Sequence, residues 1–272
     1  MRISDKNPRS TELLLSGKKV RVWIGGAGPA LLMLHAAWGD AEMSWARVWN
    51  DLSGYFTIIA PDMPGFGSSE PASVPSLSGN VRVMKELLDS LEVDRTVVVG
   101  NSFGAANAVE FASAFPERTL RLVAVNGTNL PVIPVFLKKL ISLPVMEERF
   151  RKFMRDMSFS ETAFSRAFSN TELLPAGLLD RIRQYREKYS RISFDSFMNQ
   201  AIPQKRPLVP ATIIWGMEDK LVPQHRLSKF RKWLMSPSFV AIKGAGHMPQ
   251  IEKPIEFLEA IRMAREEGVN ID

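Results

Sequence analysis

The sequence predicts an α/β protein with an eight-stranded, mostly parallel sheet flanked by helices and a helical insertion near its middle. Short apolar runs alternate with helix-patterned segments along most of the chain, which is typical of a parallel sheet wrapped by helices. Residues 131–207 break this alternation and show helix-spaced apolar residues instead. We therefore expect a core domain formed by residues 1–130 and 208–272, with residues 131–207 inserted as a helical cap.

Eight apolar runs are predicted as strands. The first two lie so close in sequence that they favour an antiparallel hairpin, and the others are separated by helical patterns or by the insertion. The predicted strands are residues 13–15, 20–24, 30–34, 57–60, 96–99, 120–125, 211–215 and 238–242. Helices of the core are predicted near residues 42–52, 81–91, 105–115, 227–234 and 255–267.

The insertion is predicted to contain several helices joined by proline-containing linkers. The candidates are residues 135–141, 147–157, 161–168, 177–189 and 193–201. Eight of the sixteen phenylalanines lie in the insertion, together with four methionines. Most helix-spaced aromatic residues pack in a core, but some must face the cleft if the insertion covers it, and this favours an apolar substrate pocket. We predict Phe136 and Phe153 as substrate contacts.

A Gly-x-Ser-x-Gly turn, Gly100-Asn101-Ser102-Phe103-Gly104, joins the fifth predicted strand to a helix. The two glycines relieve crowding in a sharp turn, so the Oγ atom of Ser102 stands clear of the backbone where a carbonyl group can approach. The same pattern also occurs in ordinary Gly/Ser loops. Its position between a strand and a helix favours a nucleophilic serine here.

Partners for Ser102 follow in the order that such a turn predicts. Asp219 lies in a loop after the seventh predicted strand, and His247 lies in a glycine-rich loop after the eighth. A serine needs an imidazole to take its proton and a carboxylate to orient that imidazole. Taken singly, Asp219 is also compatible with a simple turn role and His247 with a loop role. The ordered set favours a Ser-His-Asp site.

With these residues in place, the chain resembles the α/β-hydrolase superfamily over nearly its whole length. The segments 31–39 (LLMLHAAWG) and 62–69 (DMPGFGSS) are similar to the family's motifs after its third and fourth strands. The resemblance implies an oxyanion hole formed by the backbone N–H groups of Ala37 and Phe103. One departure is Ala36, which stands where the family usually has glycine.

The resemblance also bears on the choice of the acid, and two further residues are predicted as substrate contacts. The family's alternative position for the acid falls near Asn126, which cannot ionise, so the resemblance favours Asp219. Trp38, which follows the predicted oxyanion residue Ala37, and Met248, which follows His247, are predicted to contact the substrate.

The expected activity is hydrolysis of a carboxylic ester with an apolar portion through an acyl-enzyme. Two alternatives remain open. Gly100-Asn101-Ser102 resembles the turn of the meta-cleavage product hydrolases. Members of that family cleave carbon-carbon bonds and hold a substrate carboxylate with a cap arginine. The family usually has paired glycines where this chain has Gly104-Ala105, and a tryptophan where it has Met248. The other alternative is a receptor-like protein that uses the hydrolase pocket to bind a ligand.

Composition narrows the remaining classes. Cysteine is absent, which excludes disulfides, thiolate metal sites and a cysteine nucleophile. A polar N-terminus and the lack of an apolar run of about 18 residues predict a cytoplasmic protein without a membrane span. The insertion has 14 Lys and Arg against 8 Asp and Glu, which accounts for the net charge of +6. This charge is interpreted as a solvated surface, and the alternative is attraction of an anionic substrate or a membrane surface. We expect a small-molecule partner, no nucleic acid, no cofactor and no metal.

Overall fold

The computed structural model describes residues 7–130, 133–200, 204–222, 224–234 and 236–266. Its eight strands form one sheet in the order β1-β2-β4-β3-β5-β6-β7-β8, and this confirms the predicted mostly parallel, eight-stranded sheet. The strands are β1 (Arg9–Leu15), β2 (Lys18–Gly26), β3 (Ala30–Leu34), β4 (Thr57–Pro61), β5 (Thr96–Asn101), β6 (Thr119–Val125), β7 (Ala211–Gly216) and β8 (Ser238–Ile242). Strand β2 runs antiparallel to β1 and β4, and the remaining neighbours are parallel.

Helices connect most of the strands. They are α1 (Ala41–Trp45), α2 (Trp49–Leu52), α3 (Leu77–Ser90), α4 (Phe103–Ala114), α5 (Val135–Ile141), α6 (Pro144–Phe159), α7 (Glu161–Ala167), α8 (Leu178–Met198), α9 (Gln224–Trp233), α10 (Pro249–Glu252) and α11 (Pro254–Glu266). Within the described residues, no helix combines the length and apolar character that crossing a membrane requires.

The sheet is covered on both faces because its central strands alternate between two apolar layers. In β5, Val98 packs into the layer that contains α3 and α4, whereas Val97 and Val99 pack into the layer that contains α1 and α11. Strands β3 and β5 are buried along their whole length. The parallel strands therefore end at one common edge, here called the carboxyl edge, which is where ligands bind in open α/β sheets.

Helices α5 to α8 lie between β6 and β7, and we call them the inserted helices. Several hydrogen bonds join this insertion to the sheet side. Among them, Trp38 Nε1 donates to Ser158 O at 2.7 Å, Gly67 N to Tyr189 Oη at 3.1 Å, and Arg181 Nη2 to Asp40 Oδ2 at 3.1 Å. Buried residues of α7 and α8 also join the larger apolar layer of the core. The insertion is thus fixed to the sheet by both polar and apolar contacts.

The number of helices differs from the prediction in two places. The segments 177–189 and 193–201 belong to one helix, α8, because neither glycine nor proline interrupts the chain between them. The helix predicted near residues 42–52 is divided into α1 and α2. Predicted boundaries at residues 1–6, 131–132, 201–203 and 267–272 lie outside the described residues.

Candidate active site

Ser102 occupies the sharp turn between β5 and α4. Its backbone has φ 56° and ψ −113°, a conformation that L-residues adopt rarely and that marks a strained turn. The two flanking glycines are required by close backbone packing: a Cβ atom on Gly100 would lie 2.1 Å from Gly104 O, and a Cβ atom on Gly104 would lie 2.1 Å from Leu34 O. The sequence pattern around Ser102 is therefore explained by sterics.

The structure brings Ser102, His247 and Asp219 into contact in one line. His247 Nε2 lies 2.7 Å from Ser102 Oγ, and His247 Nδ1 lies 2.9 Å from Asp219 Oδ2. The three residues follow β5, β8 and β7, so the parallel sheet places all of them at its carboxyl edge. With Nδ1–H donated to the carboxylate, Nε2 is left as the acceptor that faces the serine hydroxyl.

Asp219 is buried and accepts four hydrogen bonds. Its Oδ1 atom accepts from the backbone N–H groups of Leu221 at 2.8 Å and Val222 at 3.2 Å. Its Oδ2 atom accepts from Asn126 Nδ2 at 2.8 Å and from His247. Burial alone would raise the pKa of Asp219, but His247, Asn126 and the Leu221 amide outweigh it and hold that pKa below its ordinary value. The carboxylate is therefore kept ionised.

Asn126 positions Asp219, a role that sequence reasoning missed. Its side-chain oxygen accepts from Gly216 N at 2.8 Å while its amide donates to Asp219, and its backbone has φ 41°. Asparagine tolerates this left-handed region better than most residues. The available signal was its place directly after β6, at the same edge as the acid and the serine.

The loop that carries His247 is fixed on both sides. The side chain of Asn101 donates to His247 O at 3.0 Å and to Val125 O at 3.0 Å. The backbone N–H of His247 donates to Ala167 O, at the end of α7, at 2.6 Å. The backbone of His247 is thus held by the strand before Ser102 and by the inserted helices.

Ala37 and Phe103 border the same cavity as Ser102. Phe103 is the first residue of α4, so its N–H has no acceptor within that helix. Close packing of Gly104 against Leu34 O brings the start of α4 next to the end of β3, from which Ala37 follows. The two predicted oxyanion donors therefore lie on neighbouring segments beside Ser102.

His35 holds the segment that leads to Ala37 in place. It is fully buried, its Nδ1 lies 2.7 Å from Ala36 O, and its Nε2 accepts from Met63 N at 2.9 Å. Burial lowers the pKa of His35, so the ring is neutral with its proton on Nδ1. It ties the segment before Ala37 to the segment after β4.

A cavity of about 330 Å³ opens over Ser102, and its walls are mainly apolar. The sheet side contributes Ala37, Trp38, Ser102, Phe103, Asn126, Gly127, Thr128, Leu130, Leu221, Val222, Arg226 and His247, and the inserted helices contribute Met154, Met157, Ser158, Phe159, Ser193 and Phe197. The ring of Trp38, a predicted substrate contact, lies 5.3 Å from the His247 ring, centroid to centroid.

Three predicted substrate contacts do not line this cavity among the described residues. Phe136 and Phe153 are 74% and 55% exposed, on the outer surfaces of α5 and α6. Helix α5 contributes no described residue to the cavity, and α6 presents Met154, Met157, Ser158 and Phe159 to it instead of Phe153. Met248 is fully buried in the core at the start of α10, so it points away from the cavity that His247 faces. The large apolar residues of the inserted helices that do line the cavity are Met154, Met157, Phe159 and Phe197.

Arg226, in the first turn of α9, was also missed. It is half-buried and lines the cavity, and burial lowers its pKa. The sequence offered no signal for it, because an arginine in a polar helix start is typical of a protein surface. Among the described residues, no group of three or more histidines and carboxylates is placed to hold a metal ion.

Comparison with known proteins agrees with this geometry. A family model described as alpha/beta hydrolase fold matches residues 29–254. The chain belongs to the α/β-hydrolase family. It is a hydrolase of this fold, and its resemblance to the family is confirmed over most of its length.

Individual relatives differ in the reactions that their names describe. The chain is 28% identical over 270 residues to 2-hydroxymuconate semialdehyde hydrolase of Pseudomonas sp. strain CF600, covering 92% of this chain and 91% of the relative. A solved membrane phospholipase A superposes with a TM-score of 0.78 at 21% identity, covering 96% and 87% of the two chains. A thermophilic esterase of Thermogutta terrifontis gives 0.74 at 20% identity, covering 95% and 98%. At these identities the two structures establish the fold alone.

Proposed function

We propose that this α/β-hydrolase cleaves a carboxylic ester with an apolar portion by way of an acyl-enzyme. The observation that supports the proposal is the line of contacts from Asp219 through His247 to Ser102, which ends in a mostly apolar cavity. In this proposal the inserted helices act as a cap that supplies one wall of the substrate pocket.

Acylation starts at Ser102. Its Oγ atom attacks the ester carbonyl while His247 Nε2, at 2.7 Å, takes the hydroxyl proton. Asp219 stays ionised and stabilises the imidazolium through Nδ1–H. His247 then gives the proton to the departing alkoxide, which leaves as an alcohol, and the acyl group remains on Ser102.

Charge on the tetrahedral intermediate is stabilised by the backbone N–H groups of Phe103 and Ala37. Donors of this kind contribute on the order of 3 kcal/mol each in comparable enzymes. Deacylation repeats the sequence with water as nucleophile: His247 removes its proton, the ester bond to Ser102 breaks, and a carboxylic acid leaves.

A second candidate is hydrolysis of a carbon-carbon bond next to a ketone. It is favoured by the 28% identity, over 92% of this chain, to a 2-hydroxymuconate semialdehyde hydrolase. The departures at Gly104-Ala105 and at Met248, which is buried in the core, weigh against it. In this reaction Ser102 and His247 would have to handle a carbanionic leaving group, which an apolar pocket does not by itself stabilise.

Stopped-flow kinetics separate these candidates. We expect wild-type protein to turn over p-nitrophenyl esters between acetate and octanoate repeatedly, with an optimum at a chain length that fits about 330 Å³. Bleaching of a ring-fission dienoate without ester turnover would instead favour carbon-carbon cleavage. A single stoichiometric burst would favour a ligand-binding role. Ester turnover should disappear in Ser102→Ala, which lacks the proposed nucleophile. The matched control is Phe153→Ala, which is altered on the outer surface of α6.

A further inference from the structure

The Ser102 cavity contains one permanently charged side chain among its described lining residues, that of Arg226. The other lining residues are apolar or neutral, apart from the titratable His247. Arg226 stands on α9, on the sheet side, and not on the inserted helices where the resemblance to the meta-cleavage product hydrolases would place an arginine. This charge therefore needs its own explanation.

Within the described residues, the Arg226 guanidinium has no carboxylate partner. Its Nη2 atom donates to Asn129 O at 3.3 Å, which leaves most of its five N–H donors free for another acceptor. Burial lowers the pKa of Arg226, and no acidic group opposes this effect. A half-buried cation without a counter-charge is unfavourable, and a ligand that supplies a negative charge would offset this cost.

Arg21 shows how the same protein treats an arginine with a structural role. Arg21 is also partly buried, but its Nε atom lies 2.7 Å from Asp62 Oδ2 and its Nη2 atom 3.3 Å from Asp40 Oδ2. Burial lowers the pKa of Arg21 too, yet Asp62 and Asp40 outweigh burial and raise that pKa. Arg226 lacks such partners and faces the cavity that contains the nucleophile.

We propose that Arg226 binds a carboxylate on the substrate, so that the enzyme acts on esters carrying one negative charge, such as hemiesters of dicarboxylic acids. The guanidinium fork matches a carboxylate in two parallel hydrogen bonds. A single negative charge fits best, because a phosphate dianion would leave one charge unpaired in an otherwise apolar cavity. This inference rests on the proposed ester hydrolysis at Ser102 and specifies its substrate.

The kinetic test compares the p-nitrophenyl monoester of glutaric acid, which is anionic, with neutral p-nitrophenyl pentanoate. We expect wild-type protein to favour the anionic ester in kcat/KM. In Arg226→Met, that preference falls by about 10- to 100-fold, mainly through KM, since a charged hydrogen-bonded contact is lost. Arg226→Lys keeps the charge without the fork and gives an intermediate preference.

Lys229→Met is the matched control, because it removes one positive charge from an exposed position on the same helix. We expect it to change the preference by less than about twofold, since exposed charges are screened by solvent and salt. An unchanged preference in Arg226→Met, or an equal loss in both variants, would overturn the carboxylate site.

Binding to Ser102→Ala protein separates this proposal from the proposed reaction. Calorimetry with monomethyl glutarate and methyl pentanoate should give tighter binding of the anion, and Arg226→Met should remove the difference. Tighter binding of the anion that depends on Arg226, together with no ester turnover by wild-type protein, would reject ester hydrolysis while supporting the carboxylate site. Equal binding of both ligands would reject the site even if esters are cleaved.

A melting experiment excludes a purely structural role. Because Arg226→Met removes an uncompensated charge, its melting temperature should equal or exceed that of wild-type protein. A fall of several degrees would assign Arg226 to the fold and contradict the proposal.

Discussion

The carboxyl edge of the sheet and the inserted helices hold their side chains in different ways. At the edge, Asp219 and His247 are buried and their positions are fixed by several hydrogen bonds to neighbouring strands and loops. On the inserted helices α5 and α6, large apolar side chains remain exposed, among them Val135, Phe136, Leu140, Val145, Phe153 and Met157. The proposed mechanism thus places the reaction in a part of the molecule that is held by many hydrogen bonds, and part of the pocket wall in a more exposed one.

The difference predicts where substitutions have their largest effects. Groups at the edge contact the reacting atoms in the proposed mechanism, so their loss changes kcat. Groups on the inserted helices shape the pocket, so their loss changes which substrate fits. Four substitution experiments compare the two regions, two through kcat and two through the free energy of unfolding.

The largest effect is expected for Ser102→Ala. Removing the nucleophile of a Ser-His-Asp site reduces kcat by about 10⁶-fold in a comparable enzyme. Phe153→Ala, on the outer surface of α6, should change kcat by less than about threefold because its side chain is largely exposed. Comparable losses in the two variants, measured by initial rates on one ester, would remove the distinction between the regions.

A smaller effect is expected when Asn126 no longer positions Asp219. Asn126→Gly tolerates the positive φ but loses the hydrogen bond to Asp219, and kcat should fall about 10- to 100-fold, the equivalent of one charged hydrogen bond. Because that bond helps to lower the pKa of Asp219, its loss raises that pKa and weakens the hold of the carboxylate on His247. An unchanged kcat, from initial rates on one ester, would contradict the positioning role.

A pH-dependent stability effect is expected from His35. Its folded-state pKa lies below the ordinary value, so the unfolded chain binds more protons below about pH 6.5, and stability is lost as pH falls through that value. Urea unfolding at pH 7.5 and 5.5 should therefore show a larger loss in wild-type protein than in His35→Gln, which cannot titrate. Equal losses would mean that His35 is not kept neutral by the fold.

The smallest effect is expected for Phe136→Ser. Its ring is 74% exposed, so the free energy of unfolding should change by no more than about 0.5 kcal/mol. Phe164→Ala is the buried control from α7 and should cost about 3–5 kcal/mol. Similar costs for both, from urea unfolding, would show that Phe136 is covered in solution.

Much of the sheet and its edge followed from local sequence. Strands β3 and β8 begin and end at the predicted residues because their apolar runs are bounded by turn residues. The serine turn could be predicted because its two glycines are needed where backbone segments pack closely. Ser102, Asp219 and His247 could be selected together because parallel strands bring their carboxyl ends to one edge.

The pocket wall could not be predicted in the same way. Composition indicated an apolar insertion, but Phe136 and Phe153 face outward while Phe159 and Phe197 line the cavity, and this depends on how α6 and α8 pack against the sheet. The sequence does not predict Arg226 as a cavity residue, because a single arginine in a polar helix start is typical of a protein surface. Its significance comes from the carboxylates that are missing around it among the described residues.

The central claim is that His247 and Asp219 activate Ser102 as a nucleophile. Labelling with a fluorophosphonate, followed by mass spectrometry of the peptides, tests it without knowledge of the natural substrate. The account predicts one covalent adduct on Ser102 in wild-type protein, none in Ser102→Ala, and a greatly slowed reaction in His247→Ala. An adduct on another residue, or labelling of Ser102 at the same rate without His247, would contradict it.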